Sequence, residues 1–234
     1  SWVDVPEETD EMRAKYCSKI IGIYEVPAFE NQTNVDRQVP PDGLRFYVIR
    51  IGFPVANIED NIPLLIASIT GNIMSMPYLK LLDIDFPKKF ADKFQGPKFG
   101  IDGIRKILNA YDRPLLNNMI KPCTGYTPDV GAKLFFEAAA GGVDIIKDDE
   151  LIGGDRSFNK LADRVKANMD AAHRADEIKG EKTLYACNIT DEVSRLKDNA
   201  MTVIENGGNC IMVDVHGIGY SAVRMLAEDP DINV

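Results

Sequence analysis

Gly141-Gly142-Val143-Asp144-Ile145-Ile146-Lys147-Asp148-Asp149-Glu150 decides the fold. A glycine pair releases the chain from a helix, a short apolar run follows, and the run closes on one lysine and three acids. A short apolar run bounded by glycine and charge reads as a strand of a buried parallel sheet. The run before it, 115–122 (LLNNMIKP), closes the same way, on Lys121-Pro122-Cys123-Thr124-Gly125-Tyr126-Thr127-Pro128. Two more follow at 183–190 (TLYACNIT) and 209–215 (NCIMVDV). Helical patterns fall at 101–111 and between the strands, at 128–140, 158–178, 191–206 and 219–228.

Regular strand–helix alternation implies a parallel sheet with right-handed crossovers. No Gly-x-Gly-x-x-Gly follows a strand, which argues against an open dinucleotide-binding sheet. Polar residues gather at the strand C-termini, where the active sites of (β/α)8 barrels lie. Four βα units make about half of such a TIM barrel, and four strands do not close one. The expectation is further sequence beyond Val234.

Upstream, residues 1–95 read as a small α+β domain and 96–234 as the first half of the barrel domain. Strands are expected at 18–26 (SKIIGIYEV) and 45–53 (RFYVIRIGF), with a polar, proline-bearing loop at 31–43 between them. A helix is expected over 58–69, with Pro63 in its first turns, where proline is tolerated. A further strand is expected over 77–85 and a short basic helix over 88–94. Gln95-Gly96-Pro97-Lys98-Phe99-Gly100 has the glycine and proline of a linker.

The chain has 234 residues, 45% of them hydrophobic and 27% charged, which is ordinary for a globular protein. Its net charge of -9 and the lack of a basic stripe exclude a typical nucleic-acid binder. No apolar run is long enough to span a membrane. Ser1-Trp2-Val3-Asp4 is no signal peptide. The four cysteines, Cys17, Cys123, Cys187 and Cys210, follow no zinc or redox spacing, and a reducing, cytoplasmic setting suits them. Cys187 and Cys210 read as core thiols.

The chemistry concentrates at the strand ends. Two carboxylates, Asp149 and Glu150, suit Mg²⁺, a hard cation that prefers oxygen ligands. Residues alternate faces along a strand, so Lys147 and Asp149 share one. A free ammonium repels a cation; Lys147 helps only when deprotonated or converted by carbon dioxide to an anionic carbamate. Alone, such a cluster also reads as a solvated strand end. Lys121 closes the preceding strand. A lysine desolvated beside a cation can exchange protons near neutral pH, whereas one reaching solvent does not.

Lys-Pro-x-x-Gly followed by Gly-Gly-x-Asp-x-x-Lys-Asp-Asp-Glu resembles the large subunit of RuBisCO and its relatives. The resemblance continues in Ser68-Ile69-Thr70-Gly71-Asn72, in Phe94-Gln95-Gly96-Pro97 with Gly100-Ile101, and in Arg113-Pro114-Leu115-Leu116. It implies a ferredoxin-like N-terminal domain, a (β/α)8 barrel, and a homodimer or higher homo-oligomer with active sites between subunits. It further implies that Lys147 is carbamylated and binds Mg²⁺ with Asp149 and Glu150. Lys121 would handle protons during enolisation, and Asn72 would reach the substrate in the partner subunit's site. Ser1-Trp2 resembles the family's Thr-Gly-Thr-Trp stretch, so the start of the N-terminal domain is expected to be missing. So is the barrel half that carries the phosphate-binding glycines and a catalytic histidine. His173 is expected on a helix surface. His216 follows the fourth strand and either lines the site, touching substrate, or is an ordinary loop residue.

The carboxylases carry Lys-Pro-Lys where this chain has Lys121-Pro122-Cys123. Alternation puts Cys123 on the face of Lys121, and a neutral thiol cannot stabilise the charge that carboxylation develops. Cys123 reads as a small filler or a reactive thiol. The resemblance therefore implies a RuBisCO-like protein. It would enolise a phosphorylated ketose or oxo-sugar-acid as a tautomerase, isomerase or decarboxylase. A carboxylase and a non-catalytic binding or assembly relative are the alternatives.

Overall fold

The computed structural model describes residues 7–27, 45–71, 74 and 79–234. The chain divides into two compact units, Ser1–Phe94 and Gln95–Val234.

In the first unit, helix α1 (Asp10–Tyr16) starts at Thr9, whose Oγ1 accepts from the Met12 N–H at 3.2 Å. That bond satisfies one of the amides a helix start leaves free. Strands β1 (Lys19–Val26) and β2 (Phe46–Gly52) pair antiparallel, with Ile23 opposite Ile49 and an irregularity between Ile20 and Gly22. Helix α2 (Ile62–Thr70) is capped by Asn61 and carries proline in its first turn. It begins four residues later than the expected 58; a 3-10 turn over Val55–Asn57 and Glu59 at φ 56° precede it. Ile58, Leu65, Ile69 and Phe90 form the core of this unit, Phe90 coming from helix α3 (Lys88–Ala91).

Of the strand expected over 77–85, no part is formed among the described residues. Residues 77–78 lie outside the described residues, and 79–85 join no ladder. The apolar content was misleading: Leu79, Leu81 and Leu82 are exposed. The Asp83 carboxylate accepts the Ile84 N–H at 2.8 Å, a local bond that competes with strand pairing.

In the second unit, helix α4 (Gly100–Leu108) stops three residues before the expected 111 because Asn109 adopts the left-handed conformation, φ 52°. The sheet is parallel, in the order β3 (Asn117–Met119), β4 (Ile145–Lys147), β5 (Leu184–Asn188), β6 (Cys210–Met212). Strands that neighbour in sequence also neighbour in space, which is the progression of a barrel wall. The connecting helices are α5 (Pro128–Ala140), α6 (Leu161–Lys179) and α7 (Leu196–Glu205); α8 (Val215–Ile218) and α9 (Tyr220–Glu228) follow β6. Together they are the first half of a (β/α)8 barrel, which follows a ferredoxin-like domain in the sequence. Phe135 of α5 meets Tyr185 of β5 edge to face at 5.4 Å, and Ile146, Val165, Ala172 and Val203 fill the surrounding layer. Burying a side chain such as Phe135 contributes about 1.5–3 kcal/mol. The layer holds β4 and β5 in register and fixes where their C-terminal ends lie.

Candidate active site

The ladder carries β4 between its neighbours as far as Lys147, which pairs with Met119 and Ala186. The last main-chain bonds to adjacent strands are Ile120 N–H to the Lys147 carbonyl, 3.0 Å, and Asp148 N–H to the Ala186 carbonyl, 3.2 Å. Beyond them the chain turns, and the three acids diverge.

Asp148 points inward. Its carboxylate accepts from Arg164 Nε at 3.1 Å, from the Tyr185 hydroxyl at 2.9 Å and from the Asn188 N–H at 3.0 Å. The Asp148 and Arg164 side chains have no exposed surface. Burial pushes the Asp148 carboxyl up, while Arg164, the Asn188 N–H and Tyr185 pull against it. Three converging donors, one of them a permanently charged guanidinium, hold it as a buried ion pair. Burial also raises the Tyr185 hydroxyl and takes the Cys187 thiol up to about 12, so neither ionises near neutrality.

Asp149 points the other way. Its Oδ2 lies 2.5 Å from Lys121 Nζ, and its Oδ1 accepts the Leu151 N–H at 3.0 Å. Asp149 is fully enclosed, while the Lys121 side chain is 57% exposed. Burial works against the Asp149 charge, but the bonds from Lys121 and Leu151 outweigh it and the carboxyl sits below its ordinary value. The same bond, with a contact to Cys123, raises Lys121. Lys121 is therefore an ammonium as it stands. Its Nζ is 3.4 Å from Cys123 Sγ; both residues lie past the end of β3, across Pro122.

Lys147 is half-buried. Its Nζ lies 3.4 Å from the Asp148 carbonyl and 3.8 Å from Met212 Sδ, with no carboxylate in ion-pair range among the described residues. Glu150 is exposed, and its carboxylate makes no hydrogen bond or ion pair among them. The expected common face of Lys147 and Asp149 does not extend past the strand: the ladder ends at Lys147, Asp149 turns toward Lys121, and Lys147 lies near Met212 of β6. His216 opens α8 on the same rim, two strands away from β4; it is exposed, and its N–H donates to Asp214 at 3.0 Å. His173 is on the surface of α6. Asn72 lies outside the described residues.

Among the described residues no three His, Cys, Asp or Glu side chains form a metal cluster. By donor type the carboxylate oxygens of Asp149 and Glu150 are those a hard dication takes, with the Asp149 oxygens engaged by Lys121 and the Leu151 N–H and the Glu150 carboxylate uncommitted among the described residues. Sequence reading missed Arg164, Tyr185 and Asn188, which support the acids from below. A signal existed for Arg164: it falls on the apolar stripe of α6, beside Leu161, Val165 and Ala171.

A lysine-and-acid strand end on the C-terminal rim of a parallel βα sheet, following a small α+β unit in the sequence, lies where (β/α)8 barrels carry their active sites. Residues 100–233 match the ribulose bisphosphate carboxylase large chain, catalytic domain, and residues 1–90 match its N-terminal domain. The chain belongs to the ribulose bisphosphate carboxylase large-chain family. It is 48% identical over its whole length to a ribulose bisphosphate carboxylase-like protein of Archaeoglobus fulgidus, covering 52% of that protein. It is 31% identical over 99% of its length to a 2,3-diketo-5-methylthiopentyl-1-phosphate enolase of Bacillus cereus, covering 55% of it. The crystal structure of a RuBisCO-like protein, MtnW, from Alicyclobacillus acidocaldarius aligns with the whole chain and 56% of its own, with a TM-score of 0.82 and 33% identity. The chain thus spans about half the length of the relatives it matches.

Proposed function

We propose that this chain carries the metal-binding strand end of an Mg²⁺-dependent enolising enzyme of the RuBisCO-like type. Its substrate is a phosphorylated ketose or oxo-sugar-acid, and the outcome a tautomerisation, isomerisation or decarboxylation. Lys147 as a carbamate, Asp149 and Glu150 hold the metal. Bound there, Mg²⁺ polarises a substrate carbonyl and makes the adjacent C–H acidic. Lys121 moves the proton: paired with Asp149 it is an ammonium and so a proton donor, and it can accept a proton only after giving that one up. His216, and Asn72 from a second copy of the chain, contact the substrate in a homo-oligomer. The four thiols, none in a disulfide, suit a reducing cytoplasm.

One observation carries this reading: at the end of β4 Lys147 is half-buried with no carboxylate in ion-pair range among the described residues, and the Glu150 carboxylate that follows is uncommitted among them. Conversion of Lys147 to a carbamate would add an anionic oxygen ligand of the kind Mg²⁺ prefers. Cys123 stands where the carboxylases have lysine, which favours enolisation without carboxylation.

The test is Lys147→Ala in the intact protein, assayed with 2,3-diketo-5-methylthiopentyl-1-phosphate and related phosphorylated ketoses. The wild type turns over one of them only with Mg²⁺ present. The variant keeps its melting temperature and loses turnover. Undiminished turnover in a folded variant would sink the proposal.

A further inference from the structure

We propose that Asn188, on the strand next to the acids, is a positioning residue that holds the main chain of Asp149 and Glu150 so that both carboxylates meet one divalent cation; the metal part rests on the reading given under Proposed function. The ladder releases β4 after Asp148, so the two residues that must present ligands lie where strand pairing no longer restrains them. Asn188 takes over there. Its side-chain Nδ2 donates to the Asp149 carbonyl at 3.1 Å and the Glu150 carbonyl at 3.2 Å. Its own N–H donates to Asp148 at 3.0 Å. One side chain therefore reaches two consecutive carbonyls, and its backbone holds the carboxylate just before them.

The residue is itself fixed. Asn188 is fully buried, and its Oδ1 accepts the Thr190 N–H at 3.0 Å. Its carbonyl accepts from Arg164 at 3.1 Å. All its polar groups are in use, and the amide orientation follows from the bonds: reversed, it would set oxygen against two carbonyls and nitrogen against an N–H. A threonine or serine hydroxyl has one proton and cannot donate to both carbonyls. An aspartate would confront them with negative charge. The arrangement asks for asparagine specifically, and nothing else in the buried layer needs its second donor.

The experiment compares Asn188→Ala with Thr183→Val in the intact protein. Thr183 is buried just before the opposite end of β5, where its hydroxyl donates to Asp176 at 2.7 Å, so it reports stability loss without touching the acids. Asn188→Ser, which keeps one donor, carries the test should the alanine variant not fold. Two quantities are read: amide hydrogen exchange at Leu151 and Ile152, whose N–H groups both close onto Asp149, and Mn²⁺ affinity by electron paramagnetic resonance in bicarbonate buffer. Asp149→Asn serves as the metal-ligand control. Exchange at 151–152 is expected to rise at least about tenfold and Mn²⁺ affinity to fall about 10- to 100-fold in the Asn188 variants, with neither moving in Thr183→Val. Unchanged exchange, undiminished Mn²⁺ affinity, or the same change in Thr183→Val overturns the proposal. If wild type binds no Mn²⁺, or Asp149→Asn binds it equally well, the metal reading fails, and the exchange comparison alone decides whether Asn188 holds the strand end.

Discussion

The two ends of β4 use the same residue types in opposite ways. At the N-terminal end Asp144 receives the Arg113 guanidinium in a fork, 2.7 Å on each arm, and its Oδ2 also takes the Leu116 N–H at 2.8 Å. Arg113 continues to Glu181 at 2.8 Å, and Lys179 donates to the Val143 carbonyl. Around Asp144 the acids and bases are matched. At the C-terminal end Asp149 pairs with one exposed lysine, and among the described residues Lys147 has no acid and Glu150 has no base. Charges are matched at the bottom of the sheet and left unmatched at the top, the end where barrel enzymes carry their sites. The barrel architecture separates stability from chemistry along each strand in this manner.

Between the two ends lies the Asp148–Arg164 pair, at the top of the strand but paired like the bottom. Replacing Arg164 with methionine leaves a buried carboxylate without its cation. Truncating one partner of such a pair costs about 3–5 kcal/mol, and we expect that loss in urea or thermal unfolding. A loss below about 1 kcal/mol would place Asp148 among the loosely held acids. Tyr185→Phe removes one donor to the same carboxylate and changes little else in shape. Its expected cost is about 1.5–3 kcal/mol, the range for a bond to a charged group.

At the bottom, Arg113 holds the Asp144 carboxyl below its ordinary value. The folded-state pKa is the lower one, so the contribution is complete above about pH 4, near the unfolded value, and disappears as pH falls through the folded value. Asp144→Asn should therefore be less stable than wild type at pH 7, and the gap should shrink toward pH 3. Melting curves across that range check this. A constant gap would mean that the fork stabilises by packing alone.

The pattern of strands and helices was legible because glycine, proline and charge punctuate it clearly; α5 runs over the expected 128–140. Strand lengths were not. The run 115–122 reads as eight residues, but the ladder takes only Asn117–Met119, since apolar composition continues where pairing stops. The acids show the same limit more sharply. Three consecutive carboxylates look alike in sequence. Their separation into a buried ion pair, a lysine partner and an uncommitted group depends on where the ladder ends and on Arg164, sixteen residues away. Lys121 and Cys123 were legible together only as near neighbours: one residue, Pro122, separates them, and both lie past the end of β3.

The smallest expected effect is at Cys123. Its thiol is half-buried and touches Lys121 at 3.4 Å, a weak sulfur contact beside a 2.5 Å ionic one. If the thiol only fills space on the open side of the site, Cys123→Ala leaves Lys121 on Asp149. The melting temperature should then move by about 1–2 °C, the scale of a surface change in a chain of this size. Turnover should stay within a few-fold of wild type, about what the loss of one weak hydrogen bond allows. A tenfold loss with an unchanged melting temperature would mean that the thiol takes part in the chemistry. The top of β4 would then hold three reacting side chains where the bottom holds none, and the contrast between the two ends would be sharper than charge matching alone makes it.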